Sequence, residues 1–167
     1  MTAKTEPTSN PGTIDLGKVA PAFTLTDQAG AKHRLKDYRD RWVVLYFYPR
    51  DHTSGCTKEA CQFRNTRVKF DREQAAVLGV SPDSEDSHQK FIEKQNLNFD
   101  LLADTDRKVC ARYGVWREKS MYGRKYMGVV RTTYLIDPKG RVAFRWDKVK
   151  VTGHAETVLK KLRELRG

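Results

Sequence analysis

Residues 46–61 read YFYPRDHTSGCTKEAC, and they join two patterns that decide the fold. The run WVVLYFYP, residues 42–49, is apolar and β-branched almost without a break and stops at a proline, as in a strand buried on both faces. Beyond Gly55 the period changes. Cys56, Ala60, Phe63 and Phe70 fall on one helical stripe at 100° per residue, and the same count turns Cys61 away from it. In such a helix the two cysteines stand about 140° apart around the axis and roughly 8 to 9 Å from each other, beyond the ~7 Å reach of a disulfide. Two thiols in one helix, unable to bond while it is folded, need an explanation.

Outward from this core, AFTLT and KHRL flank the turn-like DQAGA and predict a small N-terminal hairpin. AAVLGVS reads as a second buried strand, SEDSHQKFIEKQN as a helix opened by Ser and acidic residues, and DRKVCARYGV as a shorter helix with Gly114 near its end. RTTYLID and RVAFRWD around PKG form a hairpin, and HAETVLKKLREL sets Ala155, Val158, Leu162 and Leu165 on one face of a last helix. The order predicts an α/β fold, a mixed central sheet with helices on both faces and an N-terminal β-hairpin extension. WVVLYFYP is expected as the central strand, with AFTLT and RVAFRWD at the edges. Residues 1–15, rich in Thr, Pro, Ser and Asn, are expected to be a disordered tail, leaving 16–167 as a single domain.

A chain of 167 residues with 38% hydrophobic content suits one domain with a sizeable core. No run of some 18 apolar residues marks a membrane span, and the N-terminus lacks the apolar region of a signal peptide, so the expected address is cytoplasmic. Three cysteines are too few for a disulfide-stapled secreted module and leave at least one thiol without an intramolecular partner. The formal charge of +11 raises the question of an anionic partner, but acids are interspersed with the basic residues along the chain, which reads as a solvated surface. Tyr122, Arg124, Lys125 and Tyr126 together have the composition of a nucleic-acid platform. Nucleic-acid binding is the competing reading that a salt-series gel shift would separate.

A cysteine in the first turn of a helix meets unpaired backbone N–H groups and the positive end of the helix dipole, which favour its thiolate. Pro49 makes the preceding loop rigid, Thr53 brings a hydroxyl within reach of the sulfur and of an incoming oxygen, and Gly55 permits close approach to the backbone. Two other readings compete: buried packing cysteines, and a metal site built from Cys56, Cys61 and His52. Against the metal, the remaining histidines, His33, His88 and His154, are isolated in the sequence. Cys110 has no loop motif and reads as a partly buried helix residue.

The pattern PxxxTxxC, as Pro49, Thr53 and Cys56, resembles the active-site signature of the peroxiredoxins, and a second cysteine at Cys61 resembles their peroxiredoxin Q, or bacterioferritin comigratory protein, branch. The resemblance extends through LGKVAPAFTL, ADTDRKVCARYGVW and MYGRKYMGVVRTTYLID, from about residue 16 onward. It implies a thioredoxin-like fold and a thiol-dependent peroxidase for hydrogen peroxide and organic hydroperoxides that needs no metal, haem or flavin. By the same resemblance Cys56 is the peroxidatic cysteine, Thr53 and Arg131 organise the thiolate and the peroxide, Glu59 orients the arginine, and Cys61 is the resolving cysteine. The disulfide would then be intramolecular, forming only after the first turns of the helix unwind, and thioredoxin or a glutaredoxin would reduce it. Ser54 departs from the proline found in many members, and no CxxC pair is present, which argues against a general disulfide reductase. An intramolecular resolving thiol and charged edge strands together predict a monomer.

Overall fold

The computed structural model describes residues 12–167. Along the chain follow β1 (Thr24–Asp27), β2 (Lys32–Arg34), a 3-10 turn (Leu35–Tyr38), β3 (Trp42–Phe47), α1 (Ser54–Arg72), β4 (Ala75–Ser81), α2 (Glu85–Gln95) and β5 (Asp100–Ala103). Then come α3 (Lys108–Arg112), β6 (Trp116–Met121), β7 (Arg124–Val129), β8 (Thr132–Ile136), β9 (Val142–Trp146) and α4 (His154–Arg166). Seven strands form one sheet in the order β2-β1-β5-β4-β3-β8-β9, while β6 and β7 pair only with each other. The sheet is mixed: β4 runs parallel to β3 and β5, whereas β1 is antiparallel to β5 and β8 to β3.

The unbroken apolar run of β3 does what it predicts, because alternate side chains leave a strand on opposite sides and both sides here are covered. Val43, Leu45 and Phe47 enter one cluster with Val109 and Cys110 of α3 and with Leu35. Val44, Tyr46 and Tyr48 enter the other, with Cys56, Ala60, Phe63 and Phe70 of α1, Phe91 of α2 and Val158 of α4. Helices thus lie on both faces, three on the second and one short helix on the first. The stripe expected on α1 is the one it buries.

Several expectations need correction. β3 is interior, but β4 occupies the middle of the seven strands. β1 is not an edge, because β5 pairs along its other side and leaves β2 at the border; β9 is the second edge, as expected. β5 spans four residues, too few for a period to register. The hairpin of β6 and β7 was also unforeseen, since most of its residues are exposed and show no alternation. Its turn, Tyr122-Gly123, has φ of 52° and 78°, the twist that tight hairpins favour, without the usual Asn-Gly signature. On α4 the buried stripe is Ala155, Val158, Leu159 and Leu162, while Leu165 falls on its flank and is 44% exposed. Cys110 is fully rather than partly buried.

Of the expected tail, residues 1–11 lie outside the described residues, and the last part is engaged. Ile14 packs on the first core cluster and its N–H donates to the Tyr134 hydroxyl at 3.1 Å. Gly114, at φ 71°, lies so close to Gly12 that a Cβ there would come within 2.1 Å of the Gly12 carbonyl carbon. Ordered packing therefore begins before Leu16.

Candidate active site

β3 ends beneath a six-residue loop, and the chain turns from it into α1 at Thr53, the N-cap. The Thr53 carbonyl accepts the first helical bond from the Thr57 N–H at 2.9 Å, but its hydroxyl donates back to the Arg50 carbonyl at 2.8 Å rather than toward Cys56. Pro49 is half-buried at the strand end. Cys56 follows in the first turn of α1 and is 2% exposed, which places its sulfur against the core cluster beside Tyr46 and Tyr48.

Arg131 reaches this sulfur from the connection between β7 and β8. Its Nη2 stands 3.4 Å from Cys56 Sγ, and its Nη1 donates to Glu59 Oε1 at 2.6 Å. Gly55 makes the approach possible: a Cβ at that position would stand 3.2 Å from Arg131 Nη2. Cys56 and Glu59 lie three residues apart on one helical face, so a single guanidinium spans both. The fork geometry of arginine suits such a bridge, which a lysine ammonium would not reproduce.

The electrostatics are tense. Glu59 is wholly buried, and among the described residues its Oε2 has no hydrogen-bond partner. Burial pushes its carboxyl up to about 7, against the pull of Arg131. Burial also acts against the charge of Arg131, but Glu59 and Cys56 outweigh it and hold the guanidinium above its ordinary value. Nearby, Lys119 lays its stem over Gly128 and donates to the Val129 carbonyl at 3.0 Å; burial, and then Arg131, push its ammonium down. The Tyr46 hydroxyl below is buried and unpartnered among the described residues, and burial holds it protonated. Gly79 on β4 gives that ring its room, since a Cβ there would come within 3.0 Å of the phenol.

Cys61 is half-buried on another side of α1, where its Sγ meets Gln95 Oε1 at 3.7 Å. Arg64 adds a bond to the Gln95 carbonyl at 2.6 Å. All three cysteines are free, and Cys56 and Cys61 stand in one unbroken helix, which at 1.5 Å per residue separates their backbones by about 7.5 Å along the axis. Asp104 lies at the backbone N–H of Cys110, and burial, then Asp104, push that thiol far up. Both effects hold Cys110 in its thiol form.

The structure thus brings Cys56, Glu59 and Arg131 into one bonded group, keeps Pro49 and Thr53 in the loop that leads into it, and sets Cys61 apart. Among the described residues two groups of side chains have metal-ligand spacing, Asp27 with His33 and Asp100, and Asp51 with Asp83 and His88, and neither includes a cysteine or His52. In both, the imidazole nitrogens are already engaged: His33 with Tyr38 and Asp27, His88 with Asp51 and the Leu102 carbonyl. The histidines isolated in sequence are therefore partnered in space. Tyr122, Arg124, Lys125 and Tyr126 sit on the exposed β6–β7 hairpin, with Tyr122 98% exposed at its turn.

Sequence reasoning missed Asp51, His88 and Gln95. His88 was within reach, since it precedes Phe91 by three residues on an amphipathic helix and so shares its buried face. Asp51 gave no such signal, because an acid in a turn is ordinary.

Several known proteins resemble the chain over most of its length. The AhpC/TSA family model matches residues 16–145. Peroxiredoxin Bcp of Bacillus subtilis is 44% identical over 153 residues, 92% of this chain and 98% of the relative, and its Escherichia coli K12 counterpart 40% over 151, 90% and 97%. Among solved structures, the Xanthomonas campestris bacterioferritin comigratory protein superposes with a TM-score of 0.86 at 39% identity, covering 92% of this chain and all of the other. A cysteine-to-serine variant of Xylella fastidiosa PrxQ gives 0.88 at 38%, covering 92% and 98%.

Proposed function

The chain belongs to the AhpC/TSA family, whose peroxiredoxin members are thiol peroxidases, and from that premise we propose that Cys56 is its reacting thiolate and Cys61 its resolving thiol. The observation that carries the reading is the Arg131 guanidinium, which bridges Cys56 Sγ and Glu59 across Gly55. A cation held there stabilises the thiolate, and it remains in place to receive the charge that develops on the peroxide oxygens.

Cys56 Sγ attacks the distal oxygen of the hydroperoxide, the O–O bond breaks, and the departing oxygen takes a proton to leave as water or an alcohol. Sulfur has given up two electrons and is a sulfenic acid. The Cys61 thiolate then attacks that sulfur, the S–O bond breaks, and the hydroxyl leaves with a proton as a second water. The S–S bond needs its sulfurs within bonding distance, so α1 unwinds over its first turns before it closes. A dithiol protein of the thioredoxin kind returns the two electrons; an exposed disulfide with a resolving thiol in the same chain suits that exchange, and it lets the enzyme work as a monomer. Organic hydroperoxides belong to the substrate range, in keeping with the alkyl peroxide reduction described for the Xanthomonas protein. Among the described residues no helix is long and apolar enough to cross a membrane, and the cytoplasm, where thiols are kept reduced, is the compartment proposed.

Mass spectrometry after one equivalent of peroxide tests the assignment. The reduced protein should lose two hydrogens by joining Cys56 to Cys61; Cys61→Ser should instead gain one oxygen on Cys56, and Cys56→Ser should consume no peroxide. A disulfide through Cys110, or consumption by Cys56→Ser, would overturn the assignment.

A further inference from the structure

The loop from Tyr48 to Thr53 leaves β3 and enters α1, and a buried polar cluster holds it. The Asp51 carboxylate accepts from the Tyr48 hydroxyl at 2.6 Å and the Ser87 hydroxyl at 2.8 Å, and it meets His88 Nδ1 at 2.7 Å. The Asp51 N–H donates to Asp83 Oδ2 at 2.8 Å, and the Ser81 hydroxyl donates to the same oxygen at 2.7 Å. His88 Nε2 faces the Leu102 carbonyl at 3.0 Å. A carbonyl only accepts, so Nε2 carries a proton, and Nδ1 faces the carboxylate. The side chains of His88 and Asp51 are 0% and 1% exposed, so losing either leaves the other uncompensated in the interior.

One loop residue is thereby tied to Tyr48 at the start of the loop and to the first turn of α2, and through Asp83 and His88 to the end of β4 and to β5. In front of it the chain is held far less. Thr53 makes no side-chain cap, no acid occupies the first turn of α1, and Glu59 Oε2 is unpartnered. The strong and weak segments meet between Asp51 and Thr53.

We propose that Asp51 and His88 are positioning residues, a fixed hinge that stops the unwinding of α1 at the loop and holds the first turn in its peroxide-reactive form. The inference rests on the roles proposed for Cys56 and Cys61. The pair touches neither sulfur. It acts by setting the balance between a folded first turn, which reacts with peroxide, and an unwound one, in which Cys61 reaches the sulfenic acid. Loosening it should therefore move the two steps in opposite directions. A loss of stability without a hinge would not.

The test follows both steps by rapid mixing and quenching, with mass spectrometry reading sulfenic acid and disulfide. Asp51→Asn puts an amide N–H where a donor already points, and it should slow the peroxide step about tenfold while hastening disulfide formation severalfold. Ser87→Ala removes one of the three partners and should shift both steps the same ways by smaller factors. Val142→Ala truncates the core on the other sheet face and serves as the stability control. If both steps slow together, or if neither differs from the control, the hinge is refuted. Should Asp51→Asn not fold, Ser87→Ala decides by the same criterion. Wild-type protein that consumed no peroxide would remove the proposed function itself, whereas an active wild type with parallel changes in the variants removes only the hinge.

Discussion

Over residues 62–72, α1 is held by aromatic packing and by its neighbours; over 54–61 it buries only the small side chains of Cys56 and Ala60 beside Glu59, and its one ion pair among the described residues is with Arg131. In the later half, Phe63 stacks on Tyr46 at 4.6 Å and meets Phe70 and the edge of His154 at 6.0 Å each. Gln62 accepts from the Ala155 N–H of α4, Arg67 pairs with Asp71, and Lys69 and Arg72 oppose the dipole in the last turn. In the earlier half, Gly55 weakens the helix by about 1 kcal/mol relative to alanine, the cap lacks its side-chain bond, and a carboxylate oxygen is buried bare. The difference locates the chemistry where the helix is least secure. A segment that must unwind for two thiols to meet costs less to unwind when its bonds are few.

The largest effect should come from removing that one arginine. Arg131→Ala strands Glu59, 0% exposed at its side chain, with no cation, and should cost about 3–5 kcal/mol in urea unfolding while slowing the peroxide step at least about a hundredfold. The matching cut at the far end, Glu73→Ala, releases Arg163 and Arg166 at the surface, where solvent screens the pairs, and should cost far less. Equal costs would erase the contrast between the two halves.

The pH dependence divides along the same line. Burial, and then Arg131, push His154 in the held region down to about 4, so it binds its proton later than in the unfolded chain. Its contribution is full above about 6.5 and is lost as pH falls toward 4, about 3 kcal/mol in all. Glu59 runs the other way. Its carboxyl, pushed up to about 7 from 4.5, contributes fully below about 4.5 and loses a similar amount as pH rises through 7. Urea unfolding across this range should therefore show stability rising with pH in Glu59→Gln and falling with pH in His154→Gln.

Oxidation supplies the next contrast. Joining Cys56 to Cys61 should speed amide exchange across residues 56–63 by about ten- to a hundredfold, equivalent to about 1–3 kcal/mol of local stability, and leave residues 64–72 within a few-fold. Equal exchange in the oxidised and reduced forms would contradict unwinding.

Most of this architecture was legible, because β3, β4, α1 and α2 bury whole faces and burial imposes a period on sequence. What escaped was short or exposed: β5 with four residues, and β6 and β7, which pair with each other and bury little. The same holds at the site. Cys56 and Thr53 stand in one contiguous motif, but Arg131 lies 75 residues from Cys56 and was placed only by family resemblance. The Asp51–His88 pair spans 37 residues with no pattern linking its halves. Contacts between loops and distant helices leave no local trace, and the Thr53 hydroxyl, expected to face the sulfur, donates instead to the Arg50 carbonyl.

The smallest effect in stability should come from Gly55→Ala, and it sharpens the comparison most finely. Alanine raises helix propensity by about 1 kcal/mol, which alone would strengthen the weak half. Its Cβ would, however, stand 3.2 Å from Arg131 Nη2, so the guanidinium, the far end of a flexible side chain, must retreat by a few tenths of an ångström. That retreat lengthens a contact to Cys56 Sγ that is already 3.4 Å, while Nη1 can follow Glu59. The two effects nearly offset in folding, leaving a net change within about 0.5 kcal/mol by urea unfolding. They do not offset in chemistry. The peroxide step should slow severalfold because the cation is displaced, and disulfide formation should slow as well because the first turn is harder to unwind. If Gly55→Ala left both rates unchanged, the closeness of Arg131 to the helix backbone would be packing without consequence for the sulfur.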